Sequence, residues 1–183
     1  MADYVNHQDN DYEAVRLMYQ DEASFGRISD PSSCWCFPGF RPIVSSLRIR
    51  EYRHAFGAVS PQDGENFFLV LPYCNTDCMN IFLQKLSAEY PKDYILLATD
   101  QATWHTSTKL VIPENIKIFL LPPRTPELNP IEQVWKEIRK LGFKNKLFHT
   151  LNKVIDQLCN TVNSLTNDMI KSITGREWIL SMF

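Results

Sequence analysis

Three acidic residues stand where they could bind metal ions together. Asp21 follows an alternating apolar run, Asp100 ends a continuous apolar run, and Glu132 lies in the first turn of an apolar-periodic segment. Three carboxylates in one site would repel one another and raise their own pKa values, and divalent cations remove that conflict. Oxygen ligands suit Mg²⁺ or Mn²⁺, and two such ions can clamp the attacking and leaving oxygens of a phosphoryl transfer. The three acids are therefore candidates for a divalent-metal site.

Each acid also has a purely structural explanation. Asp21 and Asp100 could each simply close a strand, the first and the fourth of the chain. Glu132 lies three residues after Asn129, a good helix N-cap, and Pro130 fits the first helical position. This spacing predicts a capping box, in which the glutamate reaches back to the N-cap backbone. Spacing alone leaves both interpretations open.

Three longer motifs surround these acids. They are "DEASF" at 21–25, "LLATDQATWHTS" at 96–107 and "FLLPPRTPELNPIEQVWKEIRK" at 119–140. Together they resemble the DDE transposases of bacterial insertion sequences, in the branch allied to the mariner superfamily (the insertion-sequence six-thirty family). The third motif is the most specific, because it joins Leu-Pro-Pro to "PELNPIE" and a following Trp. The resemblance covers the chain from the first predicted strand to "KSITGREWI" near its end.

The resemblance implies a ribonuclease H-like fold with Asp21, Asp100 and Glu132 as a metal-binding catalytic triad. It also implies two Mg²⁺ or Mn²⁺ ions as cofactors and divalent-metal-dependent DNA cleavage and strand transfer at transposon ends. DNA is then the partner, both as transposon ends and as target, and a homodimer is expected in the active complex. Two alternatives stay open, namely a ribonuclease H-like nuclease and an inactive remnant that binds DNA or dimerises.

Further residues near the triad are candidates for supporting roles. Gln101 stands where the family commonly has Asn, and Arg124-Thr125 replaces an aromatic-Ser pair. His105 is a candidate for contact with the site or with a phosphate, although an ordinary hydrogen-bonded histidine explains it equally well. Asn129 is a candidate for a supporting role behind the metal ligands.

The elements that must position these residues begin with a strand. "AVRLMYQDEASF" alternates, with Val15, Leu17 and Tyr19 on one face. Asp21 continues that alternation, whereas Glu22 points the other way. Residues 1–13 are predicted to be a tail, 14–149 the catalytic core and 150–183 a C-terminal helical segment of the same domain; 183 residues suit one domain.

Further strands and helices follow the first strand. Asp63-Gly64 predicts a hairpin turn between two more strands. "TDCMNIFLQKLSAEY" predicts a helix capped by Thr76, and "DYILLATD" and "NIKIFLLP" predict strands with a short helix between them. The predicted apolar face of the first helix is formed by Met79, Phe82, Leu83 and Leu86. The order predicts an α/β fold: a mixed sheet of three antiparallel strands and two further strands, helices on both faces and a helical tail.

The proline-rich segment explains how the next helix is aimed. Prolines restrict the backbone and fix the entry into the helix that carries Glu132. One face of this helix is predicted to pack on the sheet through Ile131, Val134, Trp135, Ile138 and Leu141. A second face presents Glu132, Lys136, Arg139 and Lys140. The helix would aim one carboxylate at the metals and extend a basic strip along a DNA backbone.

Positive charge is local in a chain whose net charge is −2. One group contains Lys136, Arg139, Lys140, Lys144, Lys146 and Lys153, and a second contains Arg48, Arg50 and Arg53. DNA contact is expected from Lys136, Arg139, Lys140, Lys144, Lys146, Arg48 and Arg50. The alternative is two solvated faces with no partner.

Cysteines and tryptophans predict no further chemistry. The five cysteines favour free thiols in a reducing compartment. Zinc is disfavoured for Cys34, Cys36, Cys74 and Cys78 by their spacing. The tryptophans at 35, 104 and 135 are expected in the core rather than as platforms for bases.

Only a short tail precedes the first strand, too little for the helix-turn-helix modules that such transposases carry. The expectation is a catalytic half, either fused by frameshifting to an upstream helix-turn-helix reading frame or left as a remnant. The acidic N-terminus is no signal peptide, and no apolar run approaches a membrane span. We expect a bacterial cytoplasmic protein, associated with the nucleoid when active, with no membrane partner.

Overall fold

The computed structural model describes residues 12–176 apart from 30, 32, 34, 41, 42 and 44, together with residue 179. This part of the chain contains five β-strands, a 3-10 turn and four α-helices. In chain order they are β1 (Ala14–Ile28), β2 (Arg48–Val59), β3 (Asn66–Leu71), α1 (Thr76–Glu89), β4 (Asp93–Thr99), β5 (Ile116–Leu120), the 3-10 turn (Pro126–Leu128), α2 (Ile131–Gly142), α3 (Leu151–Asn163) and α4 (Asn167–Thr174).

The strands form one mixed sheet in the order β3-β2-β1-β4-β5. β1 pairs antiparallel with β2, and β2 antiparallel with β3. β4 runs parallel to β1 on its other side, and β5 runs parallel to β4. Gly64 takes a φ of +79° in the β2–β3 turn, as expected of the Asp-Gly pair. The predicted mixed sheet is confirmed, with three antiparallel strands and two parallel additions.

Helices cover both faces of this sheet, as predicted. The apolar side of α1 is completely buried against one face through Met79, Phe82, Leu83 and Leu86. α2, α3 and α4 cover the other face. α1 begins at Thr76, but its cap is Asn75, whose side chain accepts a hydrogen bond from the Cys78 N–H. The predicted cap is therefore wrong by one residue.

α2 packs on the sheet much as its periodicity predicts. Its core positions, at most 1% exposed, are Ile131, Val134, Trp135 and Ile138. Leu141 was predicted to join them, but it is 45% exposed. Gly142 is buried instead, and a Cβ there would lie 2.4 Å from the Thr161 hydroxyl oxygen of α3. The position of α2 that is buried against α3 is therefore Gly142, one residue after the leucine that the periodic pattern predicted.

Three other predictions were wrong. β1 continues to Ile28, so Asp21 lies inside the strand and does not close it. The segment 100–115 contains turns and irregular chain in place of a short helix. Trp35 is fully exposed in the β1–β2 connection, whereas Trp135 is buried and Trp104 packs against the α1 side of the core. None of the helices among the described residues could span a membrane.

The predicted domain boundaries remain predictions. Most of the tail at 1–13 lies outside the described residues, and β1 begins at Ala14, where the core was expected to start. The end of the C-terminal segment also lies outside them, including part of the "KSITGREWI" motif.

Candidate active site

The three candidate acids come from three distant segments and line one cleft. Parallel pairing of β1 with β4 runs as far as Tyr19 opposite Ala98, and Asp21 and Asp100 each follow two residues later. α2 brings Glu132 to the same place. All three acids line a cleft of about 380 Å³.

The proline-rich loop forms the other wall of this cleft. The Leu121 N–H donates to the Thr99 carbonyl at 2.8 Å, and the Gln101 amide donates to the Leu121 carbonyl at 3.0 Å. Arg124 takes a φ of +61°, an uncommon value for a residue with a side chain. The loop is thereby tied to the end of β4 beside Asp100.

Asp21 is half-buried and faces α2. Burial raises the pKa of Asp21 to about 7, and the neighbouring Glu22 and Glu132 charges act in the same direction. The Trp135 indole N–H donates to Asp21 Oδ2 at 3.0 Å. Gly57 lies opposite Asp21 in β2, and a Cβ there would stand 2.7 Å from the Trp135 ring. The glycine thus leaves the space in which the indole reaches the carboxylate.

Asp100 is held from a different direction. Its Oδ1 contacts His105 Nδ1 at 2.7 Å and accepts the Ala102 backbone N–H at 2.9 Å. The hydrogen bond from His105 lowers the pKa of Asp100. The second ring nitrogen, His105 Nε2, lies 3.0 Å from Glu22 Oε1. Although burial lowers it, the hydrogen bonds to Asp100 and Glu22 raise the pKa of His105 to about 9.

Glu132 is not part of a capping box. The Asn129 amide donates to the Gln20 carbonyl of β1 at 2.9 Å, and α2 has no side-chain cap hydrogen bond. The Glu132 N–H bonds the Asn129 backbone carbonyl at 3.2 Å. The capping-box alternative is therefore wrong. Asn129 ties the start of α2 to β1 beside Asp21, which leaves the Glu132 carboxylate available to the cleft.

The donor set fits a hard divalent cation. Three carboxylates line the cleft, and Asn129 Oδ1 is a buried oxygen without a hydrogen-bond partner in the described part of the chain. Carboxylate and amide oxygens are the ligands that Mg²⁺ and Mn²⁺ accept. Among the described residues, however, no three side chains of His, Cys, Asp or Glu converge tightly enough to bind one ion. Asp100 Oδ1 is engaged with His105 and Asp21 Oδ2 with Trp135, so a cation would draw the three acids closer together and bind the other oxygen of each aspartate.

The cysteines form no metal site in the described residues. Cys36 is exposed, Cys78 is buried in the core beside α1, and Cys34 lies outside the described residues. Four described cysteines are free thiols.

Four of the seven predicted basic residues line a second depression. We call it the basic groove: a space of about 340 Å³ between the end of β1 and the α2–α3 connection. Its cationic lining is Arg27, Arg139, Lys140, Lys144 and Lys146. Phe25, Phe143 and Phe148 form an apolar floor. The predicted strip on α2 thus leads from Glu132 into the basic groove.

Individual cations differ in how they are held there. The Arg139 guanidinium lies 5.0 Å from the centre of the Phe25 ring, and Lys140 pairs with Glu137 at 3.0 Å. Lys136 is exposed one turn after Glu132. Arg48 pairs in register with Ile28, which lines the groove. The two basic groups of the sequence are therefore neighbours in the fold.

Two supporting residues were missed by the sequence analysis. Glu22 was placed only on the face opposite Asp21, which is correct, but its link to His105 depends on how the loop after β4 folds back. Trp135 was assigned to the core, and its indole N–H also bonds Asp21. A glycine inside a strand, Gly57, was the available signal for that close approach.

Sequence comparison finds relatives of this chain. A family model described as DDE superfamily endonuclease matches residues 16–155. The uncharacterized protein y4pE/y4sA of Sinorhizobium fredii is 38% identical over 130 residues, which are 69% of this chain and 96% of that protein.

Structure comparison finds the same fold in solved proteins. A Mos1 mariner paired end complex with Mn superposes with a TM-score of 0.69 at 13% identity, over 91% of this chain and 53% of that chain. The catalytic domain of Mos1 mariner transposase gives a TM-score of 0.61 at 10% identity, over 87% of this chain and 75% of that chain. The ribonuclease H-like fold is thereby confirmed. This chain spans about half the length of the transposase chain in the paired end complex.

Proposed function

Because the chain belongs to the DDE superfamily endonuclease family, we propose that it is the catalytic domain of a DNA transposase. It would cut DNA at transposon ends and join the freed end to target DNA. The single observation that carries this proposal is the meeting of Asp21, Asp100 and Glu132 in one cleft, on the ribonuclease H-like fold.

The three acids would hold divalent cations. Asp21 and Asp100 come from neighbouring parallel strands, and Glu132 would complete the set from α2. Mg²⁺ or Mn²⁺ bound there would polarise the phosphodiester and stabilise charge on the attacking and leaving oxygens. The raised pKa of Asp21, to about 7, supports the assignment, because buried neighbouring carboxylates favour a bound cation. The solved Mos1 relative with Mn also supports a divalent cofactor.

The proposed chemistry is two successive phosphoryl transfers. In the first, water attacks phosphorus, a new P–O bond forms, and the 3′ oxygen leaves as a 3′-hydroxyl. In the second, that 3′-hydroxyl attacks a target phosphodiester and displaces its 3′ oxygen. Neither transfer needs a covalent protein intermediate. The chain's own residues would position the carboxylates. Trp135 hydrogen-bonds Asp21, and His105 hydrogen-bonds Asp100. Asn129 holds the start of α2, which carries Glu132, through its hydrogen bond to β1.

DNA would run from the cleft into the basic groove. Phosphate contact is proposed for Lys136, Arg139, Lys140, Lys144, Lys146, Arg48 and Arg50. Their exposure on α2, the following connection and the start of β2 supports this path. Such contacts are sequence-independent, so they would hold the backbone and leave recognition of the ends to other parts of a complete transposase.

A nuclease on the same fold is the competing function within the family. It shares the first transfer and lacks the second. We favour the transposase because the motifs and the fold comparison both lead to transposases. The paired end complex of Mos1 further supports proposing that two copies of this chain act together.

The test uses the full chain, Mn²⁺ and two DNA substrates. One is an intact duplex that carries the end sequence flanking the coding region, and the other is the same duplex already cut at the 3′ end. We expect cleavage of the first and joining of the second to plasmid DNA, both absent in Asp100→Asn. Free fragments without any joined product would assign a nuclease. The absence of both products, even after fusion to an end-binding module, would contradict the proposed function.

A further inference from the structure

Glu22 is a buried carboxylate whose surroundings the proposed chemistry does not yet use. Its side chain is only 5% exposed, although it follows Asp21 directly in β1. It points to the face opposite Asp21, toward the loop after β4. A buried carboxylate is costly unless donors satisfy it, so its partners show what it does there.

Three donors converge on one oxygen of Glu22. Gln20 Nε2 donates to Oε1 at 2.9 Å, and Trp104 Nε1 donates at 3.3 Å. His105 Nε2 lies 3.0 Å from the same atom. The side chain of His105 is completely buried, so this contact fixes the plane of the imidazole.

The other edge of the imidazole is aimed at Asp100. His105 Nδ1 lies 2.7 Å from Asp100 Oδ1, which also accepts the Ala102 N–H. Both hydrogen bonds of the carboxylate therefore fall on Oδ1. Within the described part of the chain, Asp100 Oδ2 has no such partner, and 56% of the side chain remains exposed. One oxygen is anchored and the other is presented to the cleft.

We propose that Glu22 is a positioning residue, which through His105 orients Asp100 so that Oδ2 is presented as a metal ligand. Glu22 holds one edge of the imidazole, and the imidazole holds one oxygen of the carboxylate. This inference rests on the proposed function, since it assigns the support of one proposed ligand. Mutation of the residues that hydrogen-bond a metal ligand from behind commonly lowers metal affinity by about 10- to 100-fold.

The test measures Mn²⁺ binding by calorimetry, with Mn²⁺ alone as the probe. We expect Glu22→Ala to weaken binding about 10-fold, and to lower kcat for cleavage while KM for DNA stays unchanged. His105→Ala should weaken it equally, and the double variant should be no worse than either single one, because both remove the same chain of contacts. Glu22→Gln keeps the acceptor oxygen and should bind Mn²⁺ within about threefold of wild type.

A matched control separates positioning from general loss of structure. Asn115 is buried and bonds Ser87, Tyr90 and Asp93 at the other end of β4. Asn115→Ala should lower the melting temperature and leave Mn²⁺ affinity unchanged. Should Glu22→Ala fail to fold, Trp104→Phe removes one donor from the same oxygen and should weaken Mn²⁺ binding about threefold.

Three results would overturn the proposal. If Glu22→Ala, or Trp104→Phe in its place, binds Mn²⁺ as wild type does while Asp100→Asn does not, the positioning role is wrong and the proposed function stands. If Glu22→Gln loses as much affinity as Glu22→Ala, Glu22 binds the metal itself. If wild type neither binds Mn²⁺ nor cleaves DNA, the proposed function falls and the positioning role falls with it.

Discussion

Asp21 and Glu22 are adjacent carboxylates on opposite faces of one strand, and they differ in the number of hydrogen-bond donors around them. Glu22 Oε1 receives three side-chain donors, including a histidine that is charged at neutral pH by its raised pKa, about 9. Asp21 receives one indole N–H and one backbone N–H, and it faces Glu132. Burial raises the pKa of Asp21 to about 7, and the charges of Glu22 and Glu132 act in the same direction.

This difference separates the acid that we propose as a positioning residue, Glu22, from the acid that we propose as a metal ligand, Asp21. A buried carboxylate with enough donors stabilises the elements that supply them. A desolvated carboxylate beside a second acid destabilises the fold by itself, and a bound cation stabilises its charged form. Residues that lower the stability of the fold are expected at the sites where a protein carries out chemistry.

The largest expected effect is on activity. Asp21→Asn should reduce DNA cleavage at least about 10³-fold, because the neutral amide is a poor ligand for a hard cation. The product is measured on end-labelled duplex with Mn²⁺. Asp63→Asn changes an acid that pairs with Arg16 at the far end of β1, and it should leave cleavage unchanged. Equal loss in both variants would remove the distinction between the two regions.

Metal-free stability should respond in opposite directions to changes in the two adjacent acids. Glu22→Ala leaves two buried donors, Gln20 and His105, and the half-buried Trp104 indole without their acceptor, and it should lower the free energy of unfolding by about 2–3 kcal/mol. Asp21→Asn removes a half-buried charge and should raise it by roughly 1–3 kcal/mol at pH 8, which is the pKa shift at about 1.4 kcal/mol per unit, reduced for screening by solvent. Urea unfolding with a chelator present gives both values. A destabilised Asp21→Asn would show that its charge is compensated after all.

The pH dependence follows from the same carboxylate. The pKa of Asp21 is raised from 3.8 to about 7 in the folded protein, so the stability from its bound proton is fully present below 3.8 and lost as pH rises through 7. Mn²⁺ competes with that proton. The rise in melting temperature on adding Mn²⁺ should therefore grow from pH 5.5 to 7.5 and then level off. Asp21→Asn should show no such growth, and a pH-independent rise in wild type would contradict the shift.

The smallest expected effect concerns the basic groove. Lys144→Ala should weaken DNA binding about threefold and lower the slope of log K against log salt by about 1, equally for any sequence. Fluorescence anisotropy over a salt series measures both. Lys92→Ala removes a cation that pairs with Glu13 at the start of β1, and it should change neither quantity. Equal effects of the two substitutions would mean that the groove has no special part in binding.

Local patterns predicted the elements, and tertiary contacts decided the exceptions. Periodicity identified the buried face of α1 and most of that of α2. It missed the length of β1, because pairing with β2 extends the strand to Ile28. It predicted a capping box, but a carbonyl of β1 takes the Asn129 amide instead. The expectation that Trp35 lies in the core was wrong, because a large apolar side chain in a connection does not by itself show where that connection packs.

The candidate site was likewise predicted only in part from the sequence. Asp21, Asp100 and Glu132 were found by motif, since their spacing alone also fits strand ends and a cap. The family and the fold are confirmed by comparison, whereas the roles of these acids and of the basic residues remain predictions. The link from Glu22 to Asp100 could not be predicted, because it needs the loop after β4 to fold back over the middle of β1.

The most direct test of the central claim is Mn²⁺ binding by Glu132→Gln, measured by calorimetry beside the wild type. A capping box would accept Gln almost as well as Glu, whereas a metal site would not. We predict that Glu132→Gln keeps its metal-free stability within about 1 kcal/mol of wild type and loses Mn²⁺ affinity at least 10-fold. Unchanged Mn²⁺ affinity in Glu132→Gln would contradict the account, because the third acid of the site would then have to lie elsewhere.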